Sequence, residues 1–164
     1  MPRIMIVAYG NPMRCDDGLA WHAADRLEGR FSSEEVEVLR THQLAPDLAE
    51  TISHCESIIF VDAAPVDVPS SGQPGEIREI QVSSSASTPR FSHQLSPGAL
   101  VFLARNLYAA EPTAVSLTLT GKCFDHGESL SPVITAAMPA LVARIETLVQ
   151  QLLSRQAPPD SNRA

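Results

Sequence analysis

Short runs of strand-forming residues alternate with helical patterns along this chain, and this alternation restricts the fold more than any other feature. Residues 3–9 form a nearly continuous apolar run rich in Ile and Val, which is typical of a strand buried on both faces of a parallel sheet. The same reading predicts further strands over residues 35–41, 57–62 and 114–120, and helices over residues 16–30, 46–54, 97–108 and 132–153.

Residues 76–82 alternate in polarity and predict an edge strand. Only about 13 residues without a helical pattern separate this strand from the preceding one, which is too short for a usual parallel crossover, so we expect it to run antiparallel. The predicted fold class is α/β, a three-layer α/β/α sandwich around a five-stranded, mostly parallel sheet with one antiparallel strand. We expect one domain over residues 1–154 and a flexible tail over residues 155–164.

Composition restricts the class of function. The net charge of −7 and the pI near 5.1 argue against a general affinity for nucleic acid. No apolar run approaches the roughly 18 residues that a membrane span needs, and no signal peptide is recognisable. The three cysteines, Cys15, Cys55 and Cys123, are too few and too scattered for a disulfide framework. We therefore expect a cytoplasmic protein that binds neither nucleic acid nor membrane.

Acidic residues follow two of the predicted parallel strands. The turn Gly10-Asn11-Pro12 ends the first strand and leads to Asp16 and Asp17, and Asp62 closes the third strand. Because parallel strands end at the same edge of the sheet, we expect these carboxylates to lie near one cleft. Asp16 is the better candidate for the N-cap of the first helix, which leaves Asp17 to face the cleft.

Histidines add candidates at the same edge. Residues 83–92 can span about 30 Å, enough to return His93 to the carboxyl edge. Two carboxylates and one imidazole suit Zn²⁺ or Ni²⁺ and leave coordination positions open. His42 and His126 are weaker candidates for a functional role. The sequence places no histidine near Cys15 that could activate it as a nucleophile. The residues alone support no more than a metal site in an α/β domain.

Four ordered segments carry a resemblance to a known family. Residues 10–18, 59–63, 92–97 and 127–132 resemble signatures of the nickel–iron hydrogenase maturation endopeptidases, and the likeness extends over residues 3 to about 153. The resemblance implies an enzyme that removes the C-terminal extension of the hydrogenase large-subunit precursor after the nickel–iron centre has been assembled.

The resemblance also implies the ligands of a metal. The family's metal-contacting positions fall on Asp17, Asp62 and His93, and Asp17 stands where many members carry Glu. The resemblance further implies that the metal is the nickel that the substrate carries and that Zn or Cd could substitute for it in crystals. No catalytic residue is assigned, and the bond-breaking step is left open. One segment departs from the family. After the second strand, the better-studied members usually carry a loop rich in Asp and Gly, whereas this chain has residues 42–48 of different composition. The difference concerns which hydrogenase the enzyme would serve.

Two other functions stay open at this point. The same ligands would support a free-standing metallopeptidase that acts on small peptides. They would equally support a nickel-sensing or chaperone-like module that binds the precursor without cutting it.

Overall fold

The computed structural model describes residues 1–66, 72–84 and 95–155. A short 3-10 turn, Cys15–Gly18, precedes the first α-helix. The strands and α-helices follow in the order β1 Ile4–Tyr9, α1 Leu19–Leu27, β2 Val36–Thr41, α2 Leu48–Ser53, β3 Ser57–Ala64, β4 Ile77–Val82, α3 Pro97–Tyr108, β5 Thr113–Thr120 and α4 Pro132–Arg155.

The strands form one five-stranded sheet in the order β2-β1-β3-β5-β4. Every neighbouring pair is parallel except β4 with β5, which is antiparallel. This confirms the predicted topology. Because β1, β2 and β3 are parallel neighbours, the loops that follow them all leave the sheet at its carboxyl edge.

The sheet separates two apolar cores, as a three-layer sandwich requires. Alternate residues of β1 point to opposite faces, since side chains in a strand have a period of two. Ile4 and Ile6 pack with α1 and α4 on one face. Met5 and Val7 pack with α2 and α3 on the other.

Within the described residues, α4 is the one helix long and apolar enough to cross a membrane by length and composition. The expectation that no segment reaches this threshold is therefore wrong for α4, whose polar positions are mostly uncharged. The helix turns its apolar stripe to the core, where Ile134, Met138, Leu141 and Ile145 are fully buried. Such a stripe is typical of the core helix of a globular domain.

Two predicted boundaries need correction. The helix predicted over residues 16–30 begins as the 3-10 turn, and its α-helical part ends at Leu27, followed by Gly29 in the left-handed region at φ +73°. The last helix, predicted to end at about residue 153, continues to Arg155. Residues 156–164 lie outside the described residues, and the domain boundary at residue 154 stays a prediction.

Candidate active site

A cleft of about 410 Å³ opens at the carboxyl edge of the sheet. Its lining comes chiefly from the loops that follow β1, β2 and β3. Asp17 and Asp62 both line it, together with Tyr9, Arg14 and His42. The structure therefore brings together two of the three residues predicted to bind a metal.

The loop after β1 is shaped to hold the Asp17 carboxylate. Gly10 has φ +141°, and a Cβ at this position would collide with the backbone carbonyl of Asp17, so only glycine fits. The N–H of Asn11 donates to Asp17 Oδ2 at 2.9 Å, and Asn11 Oδ1 accepts from the N–H of Met13 at 2.9 Å. These bonds keep the half-buried carboxylate at the cleft wall.

Asp62 lies at the cleft end of β3. Its Oδ1 accepts from the N–H of Ala63 at 2.7 Å, and the hydroxyl of Tyr9 also donates to its carboxylate. Burial raises the pKa of Asp62 to about 7; the nearby charge of Asp17 raises it as well, while the hydrogen bonds from Ala63 and Tyr9 lower it. Burial and the Asp62 charge likewise raise the pKa of Tyr9 above its usual range.

This electrostatic arrangement fits a divalent cation. Asp17 and Asp62 are close enough for one charge to disfavour the other, and a cation shared between them would remove that cost. Over residues 1–66, 72–84 and 95–155, no three His, Cys, Asp or Glu side chains group closely enough to hold a metal. The third predicted ligand, His93, lies outside the described residues. Leu95, two residues further along the chain, lines the cleft.

Asp16 does not cap the first helix, which corrects the prediction. Gly18 occupies the N-cap of α1, without a side-chain bond. Asp16 is fully buried and accepts four hydrogen bonds: Oδ1 from Ser131 N–H at 2.7 Å, and Oδ2 from Lys122 N–H at 2.8 Å, Cys123 N–H at 2.9 Å and Ser131 Oγ–H at 2.8 Å. Burial raises the pKa of Asp16, but these bonds outweigh it and the pKa is lowered.

The segment after β2 borders the cleft through His42, Gln43 and Leu44. The ring of His42 packs edge-to-face against Trp21, with 5.1 Å between centroids. Trp21 Nε1–H donates in turn to the carbonyl of Thr41 at 3.2 Å. This segment, which departs from the resembled family, therefore forms part of the cleft wall, whereas His126 is exposed and does not line the cleft.

Sequence reasoning missed two residues of the cleft. Tyr9, the last residue of β1, donates to Asp62, and Arg14 lines the cleft while its Nε–H donates to the carbonyl of Phe124 at 3.3 Å. Tyr9 could have been found from its position, because it is an aromatic residue with a polar hydroxyl at the carboxyl end of a buried strand.

Cys15 is a poor nucleophile in this setting. A hydrogen bond with the Cys123 thiol, then burial and the nearby Cys123, Asp16 and Asp125, raise the pKa of Cys15 to about 11. A thiol that stays protonated attacks slowly, since the thiolate is the reactive form.

The three-layer sandwich is the fold of solved structures that are named hydrogenase maturation proteases. One solved structure with this fold is the NiFe hydrogenase maturation protease HybD from Thermococcus kodakarensis, which is 23% identical, covers 90% of this chain and 99% of its own, and has a TM-score of 0.68. No family model and no curated protein matches the sequence.

Two further solved structures agree with the first. The hydrogenase maturating endopeptidase HybD from E. coli is 16% identical with a TM-score of 0.71, and the match covers 91% of this chain and 93% of that one. The NiFe hydrogenase maturation protease HycI from Thermococcus kodakarensis is 20% identical with a TM-score of 0.71, covering 90% and 92%. At these identities the likeness is one of fold.

Proposed function

We propose that this protein is a cytoplasmic endopeptidase that removes the C-terminal extension of a nickel–iron hydrogenase large-subunit precursor after nickel insertion. The observation that carries the proposal is the placement of Asp17 and Asp62 in one cleft of this fold. The names of the solved structures with the same fold, hydrogenase maturation proteases, support the same function.

In this proposal the metal is cargo of the substrate. Asp17 and Asp62 would contact the nickel, and His93 would complete the set as the third ligand. Carboxylate and imidazole are ligands that borderline divalent cations accept, and three of them leave positions for the substrate's own groups. Weak ligation of this kind suits an enzyme that must release its product with the metal still bound.

The chain's own residues prepare this contact. The backbone N–H of Asn11 orients Asp17, and the Tyr9 hydroxyl orients Asp62, so neither carboxylate has to be ordered when the precursor docks. The nickel, once present, supplies a Lewis acid next to the scissile region. The segment His42 to Leu44 forms the cleft wall and would select among precursors.

The test compares nickel-loaded and nickel-free precursor, with the mass of the product as the readout. We expect the loaded precursor to lose its extension and the nickel-free precursor to stay intact. Equal cleavage of both would refute recognition of nickel. Turnover of short peptides with added Zn²⁺, without a need for nickel in a protein substrate, would favour a free-standing metallopeptidase. Binding without cleavage would favour a sensing module.

Single substitutions test the ligands. We expect Asp17→Ala, Asp62→Ala and His93→Ala each to abolish processing while the fold is retained. Asp25→Ala and His54→Ala are the matched controls, because Asp25 makes an exposed ion pair with Arg40 and His54 is exposed at the end of α2. Retained processing in His93→Ala would show that the third ligand is misassigned.

A further inference from the structure

One thiol of the loop between β1 and α1, which carries Asp16 and Asp17 and is called the acidic loop below, lies near a thiol of the β5–α4 loop, outside the cleft described above. The Cys123 thiol lies near enough to Cys15 to raise the pKa of Cys15, although the two residues are far apart in the sequence. The thiol of Cys15 also lies against the backbone of the β5–α4 loop: a Cβ on Gly127 would sit 3.2 Å from Cys15 Sγ. Both cysteines are free.

The backbone holds the two thiols in place. Cys15 has φ +47°, a left-handed conformation that is uncommon for a residue with a side chain. The N–H of Cys15 donates to the carbonyl of Gly127 at 2.7 Å, and the N–H of Asp16 donates to the carbonyl of Cys123 at 3.0 Å. The buried Asp16 carboxylate in turn accepts from the N–H of Cys123. The contact therefore follows from the packing of two loops and does not depend on side-chain rotamers alone.

A small oxidant can reach this pair. Both thiols are partly exposed. A surface cavity of about 470 Å³, lined by Lys122, Cys123 and Asp125, opens on the Cys123 side. Cys55, by contrast, is buried in the core under α2 and belongs to a different face of the sheet.

We propose that Cys15 and Cys123 are a modification site that reacts with a low-molecular-weight disulfide and closes to an intrachain disulfide. The Cys123 thiolate attacks one sulfur of the small disulfide, whose S–S bond breaks; one half leaves as a thiolate and the other stays bound to Cys123. The Cys15 thiol then loses its proton to solvent, attacks Cys123 Sγ and releases the second half. Because the pKa of Cys15 is raised, this closing step is the slower of the two, but it takes place within one molecule. Two protein thiols lose two electrons, and the small disulfide becomes two thiols, which take the two protons.

Closure needs little movement. Because the N–H of Asp16 is bonded to the carbonyl of Cys123 at 3.0 Å, the backbones at the two cysteines already lie side by side. Side-chain rotation and a small loop shift can then bring the sulfurs to the S–S bond length of about 2.05 Å. The bond would link the loop that carries Asp17 to the segment that precedes α4. The inference stands whether or not the protein is a peptidase, because it uses no residue of the metal site.

The test treats the reduced, full-length protein with oxidised glutathione, alkylates the remaining thiols after unfolding, and measures intact mass and a peptide map. We expect a loss equal to two hydrogen atoms, one alkylated thiol at Cys55, and a peptide that joins Cys15 to Cys123. Dithiothreitol should reverse all three changes. Three alkylated thiols, stable glutathione adducts without a cross-link, or a bridge that includes Cys55 would each overturn the proposal.

Variants separate the two steps. Cys15→Ser should stop at a glutathione adduct on Cys123, and Cys123→Ser should form no intrachain bridge. Cys55→Ala is the matched control and should still close the Cys15–Cys123 bond. An intrachain bridge in Cys15→Ser would contradict the assignment.

Discussion

Replacement of Asp16 by Asn tests whether a buried charge joins the acidic loop to the segment before α4. The Asp16 carboxylate accepts three backbone N–H bonds and one hydroxyl bond, all from residues of the β5–α4 loop. An Asn amide has the same shape but only one accepting oxygen, and its NH₂ group is a donor. Wherever that NH₂ group points, it meets at least one backbone N–H that needs an acceptor.

The size of the expected stability loss follows from the more favourable of the two orientations of the Asn amide in Asp16→Asn. With its oxygen in place of Oδ2, the substituted side chain keeps the bonds from Lys122, Cys123 and the Ser131 hydroxyl but loses their charge-assisted strength, and its NH₂ group opposes the N–H of Ser131. A hydrogen bond to a charged group contributes about 1.5–3 kcal/mol, and an unsatisfied buried donor costs about 1–3 kcal/mol. We therefore expect the free energy of unfolding to fall by about 3–5 kcal/mol.

Urea denaturation at pH 7 measures this change, with an unchanged m-value as evidence that the same structure unfolds. Asp25→Asn is the control, since an exposed ion pair contributes about 0–1 kcal/mol. Because the pKa of Asp16 is lowered in the folded protein, its stabilisation is present above the unfolded pKa of about 3.9 and is lost as pH falls through the folded pKa. A loss of unfolding free energy below about 1 kcal/mol at pH 7, or a loss that does not shrink in acid, would refute this role of Asp16.

Three other substitutions give separate tests. Asp62→Asn should be as stable as the wild type near pH 4, but its free energy of unfolding should be higher by up to about 4 kcal/mol at pH 8. The reason is that the raised pKa of Asp62 makes the wild type lose stability as pH rises from about 4 to about 7. Equal pH profiles of the two proteins would contradict this prediction. Tyr9→Phe should raise the pKa of Asp62 further, as followed by NMR titration of its carboxyl carbon, and a lower pKa would argue against the hydrogen bond. Gly10→Ala should lower the thermal midpoint and impair processing, because its Cβ would meet the carbonyl of Asp17; an unchanged midpoint would show that the loop adapts.

The sheet and the shared position of Asp17 and Asp62 could be predicted because both depend on local patterns. Apolar runs identify the parallel strands, and their common direction brings the residues that follow them to one edge. The role of Asp16 could not be predicted in this way. Its partners lie more than a hundred residues away in the chain, and only the packing of the β5–α4 loop against the acidic loop brings them together. Tyr9 was missed for the same reason, because its partner lies on β3.

The same distance along the chain has a consequence for biosynthesis. The acidic loop is translated about a hundred residues before Lys122 and Ser131, whose groups bind the buried Asp16. Until then the carboxylate has none of these partners, so the loop cannot take its final shape. We therefore expect nascent chains that end before α4 to present no ordered cleft, which would keep an unfinished protein from binding the precursor proposed above.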